Sequence, residues 1–154
     1  MSNLITEPKP IETAIYSESD WLGQPQYATD NSAGADLRAV VKGTKTIKPG
    51  ESALISCGFS IAIPTGYFGL LASRSGLASK GIALANGIGV IDSDYRGEVM
   101  VCLRNFSDSS FDVNSGMRVA QIILVPYDKF SFTQVSSLSS TERNTGGFGS
   151  TGVE

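Results

Sequence analysis

Histidine is absent from all 154 residues, which excludes Ser-His-Asp and Cys-His catalysis, imidazole general bases and the commonest zinc sites. Proton transfer must fall to a carboxylate, Lys, Tyr or Cys. Charge is scarce as well: 18% of residues are charged, and 15 acidic against 12 basic side chains leave a formal charge of −3. No basic field exists to grip a nucleic-acid backbone, so direct nucleic-acid binding is not expected. Cysteine is limited to Cys57 and Cys102, set in apolar alternating segments without CxxC spacing. They read as buried reduced thiols of a protein in the cytoplasm, or in the host-cell interior if the chain is viral. No apolar run approaches membrane-spanning length, and residues 1–20 lack a basic stretch followed by an apolar one. A soluble protein without membrane contact or secretion signal is expected. Neither a P-loop nor a GxGxxG fingerprint occurs.

What is present is strand periodicity. From Ser52 to Pro64, the residues Ala53, Ile55, Cys57, Phe59, Ile61 and Ile63 fall at every second position, predicting a strand pair or one long strand bent at Gly58. Val99, Val101 and Leu103 alternate likewise, as do Phe130 and Phe132, and 119–125 reads as a strand covered on both faces. Turn residues punctuate these runs at Pro49-Gly50, Pro64-Thr65-Gly66, 93–97 and 114–116. Many short strands with regular turns predict an all-β sandwich or jelly roll, with one helical turn near Gly76 to Gly81. The size fits one domain. Its expected limits are 13–135, between a loose arm over 1–12 and a flexible Gly/Ser-rich lid over 136–154 that contains Arg143 and Phe148.

Four segments combine small residues with polar groups that a plain turn does not require. In Ser32 to Arg38, Asp36 fits an Asx-type turn, a salt bridge to Arg38 or a functional carboxylate. In Ser73 to Ala78, Ser75 reads either as an ordinary N-cap or, with Arg74 and the free amides, as a holder of phosphate oxygens. Ala85 to Gly97 forms a Gly-rich hairpin whose backbone can approach a planar base. Within it Asp92 follows two aliphatic residues, so partial desolvation is expected to favour it as a base. The plainer alternative makes Asp92 and Asp94 turn formers and Tyr95 a core residue. The Gly-Gly-Phe-Gly tail is either a closing lid or a solvated linker.

In this order the segments resemble the five motifs of the trimeric dUTP pyrophosphatase (dUTPase) family: 32–39, 73–78, 86–97, 116–121 and 143–152. The resemblance spans roughly Ala14 to Gly152. Ala35, Met117 and Asn144 depart from the usual motif residues.

The resemblance implies a jelly-roll homotrimer with sites shared between chains, hydrolysing dUTP to dUMP and pyrophosphate and so keeping uracil out of DNA. Main-chain groups around Asn86, Gly89, Ile91 and Met100 would bind uracil, and Tyr95 would pack on deoxyribose and exclude a 2′-hydroxyl. Asp92 would activate the water that attacks the α-phosphorus in line. Arg74, Ser75, Gly76 and Gln121 would hold the phosphates, while Arg143, Ser150 and Thr151 close on the γ-phosphate. Phe148 would stack on uracil, with Gly149 beside it. Mg²⁺ is the implied cofactor, met by Asp36 through water, and Arg118 would position strands rather than touch ligand. Two alternatives are a dCTP deaminase of the same fold and a non-catalytic trimeric regulatory or binding protein.

Overall fold

A computed structural model describes residues 9–15 and 22–147. Period-two patterning dictates what forms. The longest run becomes one strand, β5 (Ser52–Ala62), with Ile55, Cys57, Phe59 and Ile61 all buried on one face. It bends where the sequence places glycine: Gly58 has φ +75°, and the register with its neighbour shifts between Ser56 and Ser60.

The remaining strands are β1 (Glu12–Ile15), β2 (Gln26–Tyr27), β3 (Ala35–Arg38), β4 (Thr44–Ile47), β6 (Tyr67–Ala72), β7 (Ile82–Leu84), β8 (Gly89–Ile91), β9 (Glu98–Asn105), β10 (Phe111–Asn114) and β11 (Arg118–Pro126). One sheet runs β1-β5-β9-β7, a second β2-β3-β11-β6-β8, and β10 pairs with β4. All pairings are antiparallel. Ile55, Phe59, Val99, Val101 and Leu103 from one sheet meet Leu37, Leu71, Val119 and Ile122 from the other in a single core, the packing of a β-sandwich of jelly-roll type. The single helical turn, α1 (Ser75–Ala78), falls where expected.

Alternation fails as a guide after Pro126. Phe130 and Phe132 belong to no strand and are 85% and 90% exposed, correcting the expected strand there. Period two specifies a face but not a partner, and among the described residues the last backbone bond to the body is Tyr127 N–H to the Gly66 carbonyl at 3.1 Å. Leu138, also on this segment, is 88% exposed.

Beneath the apolar packing lies one buried amide. Asn105 is fully buried; its Nδ2 donates to the Ile47 and Ser109 carbonyls at 2.9 and 2.7 Å, and its Oδ1 accepts from Ser107 N–H and Oγ at 2.9 and 2.7 Å. Replacing it with alanine strands the buried Ile47 carbonyl and unties the half-buried turn through Ser107 and Ser109. Asn105→Ala is expected to lower stability by about 3 kcal/mol, seen as a lower denaturant midpoint at an unchanged m-value.

Candidate functional site

Register brings the first cluster together. Gln121 on β11 stands opposite Asp36 on β3 and Ala72 at the end of β6, so the loop leaving β6 passes beside both side chains. Asp36 accepts from Arg74 Nε at 2.8 Å and Arg118 Nη1 at 3.2 Å. The salt bridge to Arg38, one of the alternatives open for Asp36, does not form, since Arg38 Nη1 donates instead to the Gly116 carbonyl at 2.8 Å. A strand residue and its second neighbour share a face, but Arg74 and Arg118 approach Asp36 more closely from adjoining elements.

Ser75 is not the N-cap. Arg74 occupies that position in extended conformation, without a side-chain cap, leaving the Ser75 hydroxyl and the Gly76 amide on an exposed first turn. Ser73 anchors the loop from within: its Oγ accepts from Leu84 N–H at 2.9 Å and its carbonyl accepts from Gln121 Nε2 at 3.1 Å. Gly34 completes the wall, because a Cβ there would lie 2.5 Å from Gln121 Oε1. The result is a cleft of about 500 Å³ lined by Ser32, Gly34, Asp36, Arg74, Gly76 and Gln121, among others. Its charged lining is Arg74 and Asp36, and Arg118, outside the lining, pairs with the same carboxylate, so the cluster as a whole holds two guanidinium groups against one carboxylate, suited to a polyanion in an otherwise acidic chain.

As a metal site the cleft offers one carboxylate. No group of three or more His, Cys, Asp or Glu residues among those described is arranged to hold an ion. This donor set fits a hydrated Mg²⁺ carried chiefly by ligand phosphates and does not fit an all-protein cage.

The second cluster follows β7. The hairpin proper is β7 with β9, and β8 is an excursion of its connecting loop into the opposite sheet, where it pairs with β6. Ala85 N–H donates to the Cys102 carbonyl at 2.8 Å, so that peptide faces β7. Two residues back along β9, Met100 points its N–H and C=O the same way, beyond the end of β7, where the chain turns off at Asn86 and Gly87. Gly87 makes that turn at φ +73°. Gly89 packs on Leu71, where a Cβ would sit at 3.0 Å.

Asp92 is exposed, not partly desolvated as expected. Ile91 turns inward at the end of β8, and strand alternation points the next side chain out. Asp92 borders a shallow apolar hollow with Phe68, Val90 and Tyr127. Asp94 is also exposed, and Tyr95, at 42% exposure, is no core residue. Tyr95 N–H donates to the Asp92 carbonyl at 3.1 Å and its hydroxyl to the Glu98 carbonyl at 2.9 Å. Its ring lies over Gly97, where a Cβ would be 2.5 Å from the hydroxyl oxygen.

Arg143 lies on an exposed turn, its Nε donating to the Gly146 carbonyl at 3.1 Å. Asn144 has φ +46°, a left-handed conformation that asparagine tolerates better than other non-glycine residues, which accounts for its replacing glycine in the motif. Phe148, Gly149, Ser150 and Thr151 lie outside the described residues. Within one chain Asp36 and Asp92 stay apart: β3 and β8 are separated by β11 and β6, about 14 Å across the sheet at usual strand spacing, while the Arg74 loop leaves β6, the strand beside β8, at the end away from Asp92. The single-residue reading missed Gly34, Gly97 and the full engagement of Asp36.

Both cysteines are free thiols. Burial, and secondarily the Glu98 carboxylate, push Cys57 up to about 12, which makes it a poor nucleophile at neutral pH. No helix among the described residues is long and apolar enough to cross a membrane.

The dUTPase family model matches residues 22–152. A deoxyuridine 5′-triphosphate nucleotidohydrolase from Rhizobium etli is 43% identical over 149 residues, covering 95% of this chain and 96% of the relative. One from Rickettsia prowazekii is 45% identical, covering 93% and 98%. The Staphylococcus bacteriophage 80alpha dUTPase solved with dUPNHPP superimposes with a TM-score of 0.83 at 27% identity, covering 95% of this chain and all of that one. A dUTPase of S. aureus phage phi11, whose structure describes the coordination of a structural Mg(II) ion, shares the fold with a TM-score of 0.74 at 24% identity. With a matched region running from β2 through the Arg143 turn, and relatives alike over nearly their whole length, this chain belongs to the dUTPase family.

Proposed function

We propose that this dUTP diphosphatase works through composite sites, each assembled from more than one copy of the chain in a homotrimer. The observation that carries the reading is the cleft of about 500 Å³ around Arg74, which Ser75, Gly76 and Gln121 also line and which has room for a polyphosphate. Asp92 follows β8, whose Ile91 stands opposite Gly69, while the Arg74 loop leaves β6 beyond Ala72, so the two lie toward opposite ends of β6. A second copy supplies Asp92 and the Asn86–Met100 edge to each phosphate cleft. The exposed Phe130, Phe132 and Leu138 give such copies apolar surface to bury against one another.

In the assembled site, the peptide of Met100 and the turn at Asn86, with Gly89 and Ile91, present donors and acceptors to the uracil edge. Tyr95 lies flat on the deoxyribose. Asp92, covered by a neighbouring subunit, takes a proton from the water that attacks the α-phosphorus, and pyrophosphate leaves opposite it. Arg74, Ser75, Gly76 and Gln121 bind the phosphate oxygens. Arg143, Ser150 and Thr151 close over the γ-phosphate, while Phe148 and Gly149 cover the base. Bound Mg²⁺ would neutralise part of the triphosphate charge, with Asp36 reaching its hydration shell.

Asp36 also has a task in this chain's own terms: it fixes Arg74 and Arg118 before any anion arrives, so less ordering remains to be done on binding. The test is product analysis with dUTP, dTTP, dCTP and UTP, with and without Mg²⁺. Pyrophosphate from dUTP, greatly reduced for the other three and dependent on Mg²⁺, is the expected result. Ammonia from dCTP would establish a deaminase instead. No product from any of them would leave the binding protein as the correct reading.

A further inference from the structure

We propose that Glu98 is a positioning residue for sugar selection, tying the support of Tyr95 to the bend of β5. The inference rests on the reading of Tyr95 as the surface that meets deoxyribose. Tyr95 does not hold itself in place by burial, since the residue is 42% exposed. It is held by its hydroxyl, which donates to the main-chain carbonyl of Glu98 at 2.9 Å, and by contact with the bare Gly97 backbone beneath it. Arg96 stiffens the approach, its Nη1 donating to the carbonyls of Ser93 and Tyr95 at 2.8 and 2.7 Å.

The Glu98 carbonyl is therefore the fixed point, and its own side chain fixes it. Glu98 Oε1 accepts from the Ser56 hydroxyl and from Gly58 N–H, the latter at 3.2 Å. Gly58 N–H is shared with Ser56 Oγ at 3.1 Å. These donors lie in the irregular stretch of β5 where the ladder skips from the Ser56–Met100 pair to the Ser60–Glu98 pair. A bulge forfeits regular backbone bonds, leaving the start of β9 short of partners. The carboxylate replaces them with charge-assisted bonds at half-buried positions.

One side chain thus fixes the register of β9 for Met100 and the height of the carbonyl that carries Tyr95. A purely structural carboxylate would affect stability, or activity on all nucleotides alike. A positioning carboxylate affects the choice between sugars.

The experiment compares kcat/KM for dUTP and for UTP in the intact protein. Glu98→Ala is expected to lower the dUTP/UTP ratio about tenfold, the scale of one lost hydrogen bond. Glu98→Gln keeps an amide oxygen where both donors meet and should hold the ratio within about twofold of the parent. Tyr95→Phe should reproduce the loss, and the double variant should add little, because both changes loosen the same contact. Should Glu98→Ala not fold, Ser56→Ala removes one arm of the tie and is expected to lower the ratio in the same direction. An unchanged ratio in the folded alanine variants, or an equal loss in Glu98→Gln, overturns the proposal. A parent chain that releases no pyrophosphate from dUTP overturns the functional reading itself, a result seen before any variant is made.

Discussion

Asp92→Asn is expected to lower kcat by at least about 10²-fold, the low end of what a general base contributes, with little change in assembly or nucleotide affinity. Within the single chain the residue is exposed at the end of β8, so the fold of the subunit should tolerate the change, exposed substitutions rarely shifting stability by more than about 0.5 kcal/mol, and the isosteric amide should fit under the neighbouring subunit as the carboxylate does. The amide retains the shape and the capacity to orient water, but no longer takes the proton. Asp94, two residues on and equally exposed, is the internal control: Asp94→Asn should retain most of the parental rate. Steady-state kinetics with dUTP, paired with equilibrium binding of a non-hydrolysable analogue, separates the two effects. Parental turnover by Asp92→Asn, with loss in Asp94→Asn, would transfer the role to the neighbour.

Ending the chain at Glu142 is expected to cost about 10²-fold or more in kcat/KM, carried more by kcat than by KM, while melting temperature and assembly stay close to those of the parent. Among the described residues the strands end at Pro126 and the turn that carries Arg143 is exposed, so truncation removes little of the described body. What it removes acts on developing charge: a guanidinium for the γ-phosphate, and the segment that excludes water from the phosphates. Phe148→Ala should reproduce part of the loss. Full activity of the shortened chain would reduce this segment to a dispensable terminus.

The two layers were legible wherever burial alone decides. Ile55, Cys57, Phe59 and Ile61, like Val99, Val101 and Leu103, occupy the core face that their spacing predicts, because one face of a strand must meet the core. Phe130 and Phe132 carry the same spacing without becoming a strand, since alternation does not supply the neighbour that a ladder requires. At the site, residue types and order were legible, but electrostatic pairing was not. Asp36 has Arg38 two positions away, yet its partners come from residues 74 and 118, which only the register of β3, β11 and β6 brings near. The environment of Asp92 was misread for a related reason. Two preceding aliphatic residues suggest cover, but cover comes from what packs above a residue rather than from what precedes it.

The excursion of β8 into the opposite sheet places the proposed base-reading segment with one foot in each layer of the sandwich. Such a segment cannot follow either layer alone. A core change that leaves the protein folded but shifts one sheet by a fraction of an ångström against the other would be felt there as a change in which nucleobase is accepted. Fidelity and rigidity are therefore coupled in this architecture. Sequence drift in the interior, even among residues that never approach the ligand, would register as misreading before it registered as unfolding.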